Sequence, residues 1–226
     1  MANQVRDLRS AIELLRELDG QLIETDVEVD PMAELSGVYR HVGAGGTVAR
    51  PTKEGPAMIF NNVKGHPDAR VVIGLLASRR RVGKLLDCEP ERLGFPAERG
   101  RCAARSARAA ARRCPGAVPR RSSTWRATRT SMYAASVPAP TNTEEDAGPY
   151  ITMGMCYAHD VETGEHDVTI HRLCLQGPDT ISMFFTPGAR HLGAFREKAE
   201  ALGKPLPISI SIGVDPAIEI GACFEP

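Results

Sequence analysis

The chain has 226 residues, and 28 Lys and Arg balance 28 Asp and Glu, so its formal net charge is zero. That balance argues against a polyanionic partner, and 42% hydrophobic with 25% charged residues is the composition of a globular protein rather than a disordered one. No run approaches the length of a membrane span, and Met1 to Gly20 lacks the apolar stretch of a signal peptide, so the protein reads as cytoplasmic, with no membrane or nucleic-acid partner.

In chain order, Asp7 to Leu18 is a helix, with Leu8, Ile12, Leu15 and Leu18 on one stripe and Gly20 as its stop. Gln21 to Val29 reads as a strand. Asp30 and Pro31 suit a cap and a first helical position, which predicts a helix over Met32 to Val42. Pro56 to Phe60 is a short buried strand and Val71 to Leu76 another apolar run. Ser78 caps a helix that buries Val82, Leu85 and Leu86.

The second half changes character. Tyr150 to His159, Asp167 to Leu175 and Thr180 to Thr186 are strands joined by turns at Glu162-Thr163-Gly164-Glu165 and Gly177-Pro178-Asp179, which makes an antiparallel meander. His191 to Leu202 is a helix with Leu192, Phe195, Ala199 and Leu202 inward. Ile208 to Val214 alternates strictly and reads as a half-buried strand.

Between these halves, Arg99 to Met132 carries ten arginines, no lysine, no Leu, Ile or Phe, and one Val. No acidic residue occurs between Glu98 and Glu144. Three readings compete: an arginine-rich arm for nucleic acid with Trp125 as a stacking residue, a natural disordered linker, or GC-rich DNA read in a displaced frame. The displaced frame is preferred, because patterned sequence resumes cleanly at Val137-Pro138-Ala139-Pro140. Six cysteines (Cys88, Cys102, Cys114, Cys156, Cys174 and Cys223) form no C-x-x-C pair and no zinc spacing, so they read as reduced structural thiols.

Four stretches carry a family resemblance: Glu144-Glu145-Asp146-Ala147-Gly148-Pro149-Tyr150-Ile151-Thr152, Asp167-Val168-Thr169-Ile170-His171-Arg172, Phe184-Phe185-Thr186-Pro187-Gly188-Ala189-Arg190-His191, and Ile210-Ser211-Ile212-Gly213-Val214-Asp215-Pro216-Ala217. With Gly55 to Gly94, they resemble the N-terminal half of UbiD-type decarboxylases, especially those acting on hydroxyarylic acids of the vanillate and 4-hydroxybenzoate type. The resemblance implies an α+β fold: a small N-terminal α/β domain over 1–98, the anomalous segment over 99–137, and part of a split β-barrel flavin-binding domain (antiparallel meander plus helix) over 138–226. The family's C-terminal domain is absent from these residues.

The resemblance further implies reversible, non-oxidative decarboxylation of an aromatic acid with prenylated FMN as electron sink. A flavin prenyltransferase would supply the cofactor, and the full-length family is homo-oligomeric. Arg172 matches the catalytic arginine, which grips the substrate carboxylate. Ile170, His171, Arg172, Phe184, Phe185, Thr186, Arg190 and His191 match cofactor-contacting positions. Asp167 and His191 match ligands of Mn2+ (or Mg2+), with Asp167 standing where the family generally has Asn. The spacing of Asp167 and Arg172 places Asp167 at the start of its strand or beside a bulge. Backbone carbonyls of Val168, Ala222 and Phe224 match a K+ site. The family's second metal-binding glutamate and its catalytic acids match positions beyond Pro226, so these residues alone are expected to be inactive. Two alternatives stand beside this reading: an FMN-binding module or flavin reductase-like subunit, and a non-functional product of a disrupted gene.

Overall fold

A computed structural model describes residues 5–43, 54–93, 137–185 and 192–223. Thr186, Arg190, His191, Phe224 and almost all of the arginine-rich segment lie outside them. The fold is mixed α+β, built on two small sheets.

The first region begins with α1 (Leu8–Arg16), whose Asp7 cap accepts the Ser10 N–H at 2.9 Å while Ser10 Oγ accepts the Asp7 N–H at 3.1 Å. Next come β1 (Leu22–Thr25), α2 (Glu34–Val42), β2 (Ala57–Phe60), β3 (Val71–Ile73) and α3 (Arg79–Leu86). β1 pairs parallel with β2, and β3 pairs antiparallel on the other side of β2. The central strand β2 is buried along its whole length. Val5, Ala11, Leu15, Ala57 and Leu85 fill one side of this region, and Val29, Leu35, Met58, Phe60 and Val63 fill the other.

The second region is the expected antiparallel meander, β4 (Tyr150–His159), β5 (His166–Leu175) and β6 (Ile181–Met183), with α4 (Leu192–Ala201), β7 (Ile208–Ser211) and α5 (Pro216–Gly221). The strand order is β6-β5-β4-β7. α4 lays Leu192 and Phe195 on Cys156, Ala158 and Leu173, so one face of the sheet is covered by this helix.

Several expectations are corrected. α2 starts at Glu34, not Met32: the Pro31 carbonyl accepts the Thr141 N–H at 3.0 Å and the Ala33 N–H donates to the Thr141 carbonyl at 2.8 Å, so tertiary pairing takes the residues meant for the first turn. β1 is half its expected length, and Val29 instead makes an isolated bridge with Val63. β6 stops at Met183. Leu202 is 45% exposed, because α4 ends at Ala201 and Gly203 turns the chain at φ 64°. The expected half-buried strand ends at Ser211, and Ile210 and Ile212 are 39% and 56% exposed. β7 pairs only with β4, and Gly213 at φ 75° then turns the chain so that Val214 is buried.

The two regions are joined by direct contacts. The Leu8 N–H donates to the Gly213 carbonyl at 3.2 Å, and Ser36 Oγ donates to Asn142 Oδ1 at 2.7 Å. α5 returns to the first region, where Ala217 and Ile220 pack with Leu86, Val82, Cys88 and Leu93. No helix among the described residues is long and apolar enough to cross a membrane.

Candidate functional site

β5 organises the candidate site. Alternation along a strand sends successive side chains to opposite faces. Leu173 packs beneath α4, so Asp167, Thr169 and His171 share the α4 side. Val168, Ile170 and Arg172 share the other face, where Arg172 is exposed. Asp167 is the second residue of β5, at the strand start. The structure thus places Asp167 and Arg172 on opposite faces of one strand, as their odd spacing requires.

β4 contains a β-bulge directly opposite Arg172. Ile151 pairs with Leu173 and Gly154 with His171, so Thr152 and Met153 face Arg172 alone. The bulge lets Ile151 and Gly154, three residues apart, address the same face. Gly154 is required there, because a Cβ would lie 2.6 Å from Leu173 Cδ1 and 3.0 Å from the His171 carbonyl. Beyond the bulge, Tyr150 pairs with Cys174 on the Arg172 face. A hydrogen bond with the Cys174 thiol, burial and the Cys174 charge raise the Tyr150 hydroxyl, against the opposing charge of Arg172.

On the α4 side, the His171 ring lies 5.1 Å from the Phe185 ring, and the Arg196 guanidinium lies 5.5 Å from the Phe185 centroid. Burial lowers the His171 pKa, against a hydrogen bond that its ring N–H donates to the Phe184 backbone carbonyl. Phe184 and Phe185 diverge: Phe184 is 68% exposed, while Phe185 packs beside the cluster beneath α4.

β6 pairs only with Leu173, Cys174 and Leu175. Among the described residues, no strand pairs with the outer edge of β5 from His166 to Ile170. Backbone groups of Ile170 therefore lie on an edge from which both faces of β5 can be reached. Val168 is half-buried on the Arg172 face, and Ala222 is the C-cap of α5. Among the described residues, no group of three or more His, Cys, Asp or Glu gathers as a metal site. His191 lies outside them, so Asp167 is the only described member of the expected manganese pair.

Three features escaped the sequence reading. Thr169 Oγ1 and Arg196 Nε are buried with no hydrogen-bond partner. The bulge has no signal beyond Gly154. Glu219, four residues after Asp215, is buried with it on α5. Burial, then the Asp215 charge, pushes the Glu219 carboxyl up to about 7. The run Asp215-Pro216-Ala217-Ile218-Glu219-Ile220 could have betrayed it, as a carboxylate flanked by apolar residues in a capped helix.

Comparison with known proteins agrees with this architecture. Residues 12–95 match the model of the 3-octaprenyl-4-hydroxybenzoate carboxy-lyase N-terminal domain, and residues 119–226 match the Rift-related domain of the same enzyme family. Gallate decarboxylase of Lactiplantibacillus plantarum is 49% identical over 227 residues, which take in 100% of this chain and 46% of that protein. The crystal structure of apo Klebsiella pneumoniae 3,4-dihydroxybenzoic acid decarboxylase superposes with a TM-score of 0.79 at 47% identity, covering 98% of this chain and 45% of that one. The UbiD-class enzyme HmfF from Pelotomaculum thermopropionicum, solved in complex with prFMN, gives a TM-score of 0.70 at 28% identity over 93% of this chain and 45% of its own. This chain thus spans about half the length of the relatives it matches. With both domain models in sequence order over most of its length, the chain belongs to the UbiD family.

Proposed function

We propose that these residues form the cofactor-binding half of a prenylated-FMN-dependent decarboxylase of hydroxylated benzoic acids. The observation that carries this reading is the exposed Arg172, set on β5 against a two-residue bulge, in a chain 49% identical to gallate decarboxylase throughout its length. Gallate and 3,4-dihydroxybenzoate, the acids named for the relatives at 49% and 47% identity, are the substrates to try first.

Donor chemistry on both faces of β5 fits a flavin mononucleotide. When bound, prenylated FMN supplies the electron sink for loss of carbon dioxide. Arg172 holds the substrate carboxylate, since a guanidinium stays charged at every working pH and offers two parallel donors. Ile170, His171, Phe184 and Phe185 line the cofactor, with Thr186, Arg190 and His191 completing that set. Asp167 and His191 are the proposed ligands of Mn2+ or Mg2+, and the carbonyls of Val168, Ala222 and Phe224 those of K+; no step is routed through either ion. A flavin prenyltransferase as supplier, a homo-oligomeric whole enzyme and a cytoplasmic site of action belong to the same reading.

The division into 1–98, 99–137 and 138–226 is likewise a proposal. Neither family model covers 96–118, which supports a displaced reading frame there, although the Rift-related match begins at 119, inside the segment. The nucleotide sequence across residues 95–140 tests it.

Activity is tested with a chimaera, in which this chain carries the family sequence through 99–137 and the remaining part of gallate decarboxylase. Carbon dioxide release from gallate or 3,4-dihydroxybenzoate is expected from the chimaera and not from a polypeptide of these 226 residues alone. Turnover by the 226 residues alone would show that every reacting group is already among them.

A further inference from the structure

The tip of the β4–β5 hairpin carries a cluster that the decarboxylase reading does not use. His159 is the last residue of β4 and His166 the first of β5, and the two are direct cross-strand partners. Cys156 and Ala158 pack beneath α4, so alternation puts Tyr157, His159 and His166 together on the opposite face. The Tyr157 ring lies 4.8 Å from that of His159, edge to face at 84°, and 5.9 Å from that of His166, and the two imidazole centroids are 5.8 Å apart. Both histidines are exposed and Tyr157 is half-buried. Among the described residues, no hydrogen bond or ion pair engages either imidazole. The hairpin beneath them is held firmly. The buried Asp160 carboxylate accepts the Glu162 and Thr163 N–H groups at 2.8 and 3.1 Å and binds Lys198 of α4, which also commits the adjacent carboxylate to the turn.

We propose that His159 and His166 form a two-histidine site for a divalent transition ion that prefers imidazole nitrogen: nickel, copper or zinc. An ion about 2.0–2.1 Å from one nitrogen of each ring sets two imidazole centroids roughly 5 to 6 Å apart, so the observed 5.8 Å needs only side-chain rotation. Water completes the coordination shell. Two ring nitrogens without a carboxylate select this class of ion over manganese or magnesium, which take oxygen ligands. Tyr157 positions the His159 ring by packing and is not a ligand. The site is separate from the one proposed at Asp167, whose side chain lies on the α4 face of β5. It is also separate from Arg172, six residues and about 20 Å along the strand from His166. A bound ion ties the end of β4 to the start of β5 beside the open outer edge of β5, and so stabilises the folded chain by mass action.

The test titrates Ni2+ into the 226-residue chain by calorimetry and follows thermal unfolding in parallel, with circular dichroism as the folding control. A Ni2+ ion bound through the pair, with a matching rise in unfolding temperature, is the expected result. His159→Gln and His166→Gln are each expected to weaken that binding about 100-fold, because the second imidazole acts at the high effective concentration that the hairpin imposes. Tyr157→Phe should bind as tightly as the unsubstituted chain, and so should His41→Gln, which removes an exposed histidine of α2. Excess Mn2+ should not displace the Ni2+. Binding undiminished in either His159→Gln or His166→Gln assigns the ion to thiols or other histidines and overturns the site. No Ni2+ binding by the unsubstituted chain overturns it as well. Loss of binding in Tyr157→Phe makes the phenol a ligand and overturns the two-histidine assignment.

Discussion

Arg81 in the first region and Arg172 in the second are the same side chain put to opposite uses. Arg81 is fully buried, and its guanidinium is spent on the protein: Nε donates to the Leu75 carbonyl at 2.9 Å, Nη1 to the Gly55 carbonyl at 3.0 Å and to Gln21 Oε1 at 3.4 Å, and Nη2 to the Gly74 carbonyl at 2.7 Å. It ties the end of β3 to the loop before β2 and to the residue before β1. Arg172 is exposed on its sheet face, beside a backbone irregularity. Where a buried cation saturates its donors with carbonyls it is part of the framework, and where the fold leaves donors unspent they are available to a ligand. Arg196 falls between the two, packed on Phe185 but with Nε unspent.

The largest effect tests the Arg172 half of this contrast. In the chimaera, Arg172→Ala is expected to lower turnover by at least about 10³-fold, measured as carbon dioxide release, while FMN binding largely persists. Full activity in that variant would remove the basis of the site assignment. The Arg81 half is tested by Arg81→Met, which keeps bulk but strands the carbonyls of Gly55, Gly74 and Leu75. A loss of about 3 kcal/mol in denaturant unfolding is expected, without change in any ligand affinity. A loss under about 1 kcal/mol would mean that the clamp is dispensable.

Glu219 extends the comparison to buried carboxylates. Its folded pKa, about 7, lies above the ordinary glutamate value of 4.5. Below pH 4.5 both folded and unfolded chains hold the proton, and there is no effect. As pH rises from 4.5 to about 7 the unfolded chain ionises first, so stability falls. Glu219→Gln should therefore stabilise the chain at pH 8, by up to about 3 kcal/mol, and be neutral at pH 4. A gain of equal size at both pH values would assign the effect to shape rather than charge.

Asp160 gives the smallest effect and the opposite sign. Its buried carboxylate binds Lys198 and accepts the N–H groups of Glu162 at 2.8 Å and Thr163 at 3.1 Å, and these hold its pKa down to about 2, the Lys198 hydrogen bond foremost. The stability it contributes is present above 3.8 and is lost as pH falls through about 2. Asp160→Asn should flatten the acid limb of the stability profile between pH 4 and 2. An unchanged acid limb would place the acid-sensitive contact elsewhere.

The contrast also separates what was legible in the sequence from what was not. Tyr150–His159 was readable to the residue, because turn residues bound an apolar run on both sides. The order of the meander followed from its two short turns, and Ser78 as a cap followed from residue chemistry alone, its side chain accepting the Arg81 N–H. Arg81 was not legible, since arginines at 79, 80 and 81 look alike and only the fold decides which one meets four acceptors. Ile208, Ile210 and Ile212 misled for a related reason: alternation specifies which residues share a face, not whether anything covers it. Within the site, the opposite facing of Asp167 and Arg172 follows from strand period, whereas the approach of Arg196 to Phe185 depends on how α4 packs on the sheet.

The stitching of Pro31 and Ala33 to Thr141, of Ser36 to Asn142, of Leu8 to Gly213 and of α5 onto α3 has a consequence for covalent continuity. Each contact joins a residue before position 94 to one after position 136, so the union of the regions is carried by interfaces rather than by the peptide chain between them. After a single cut in that stretch these contacts would still be available to hold the two fragments together.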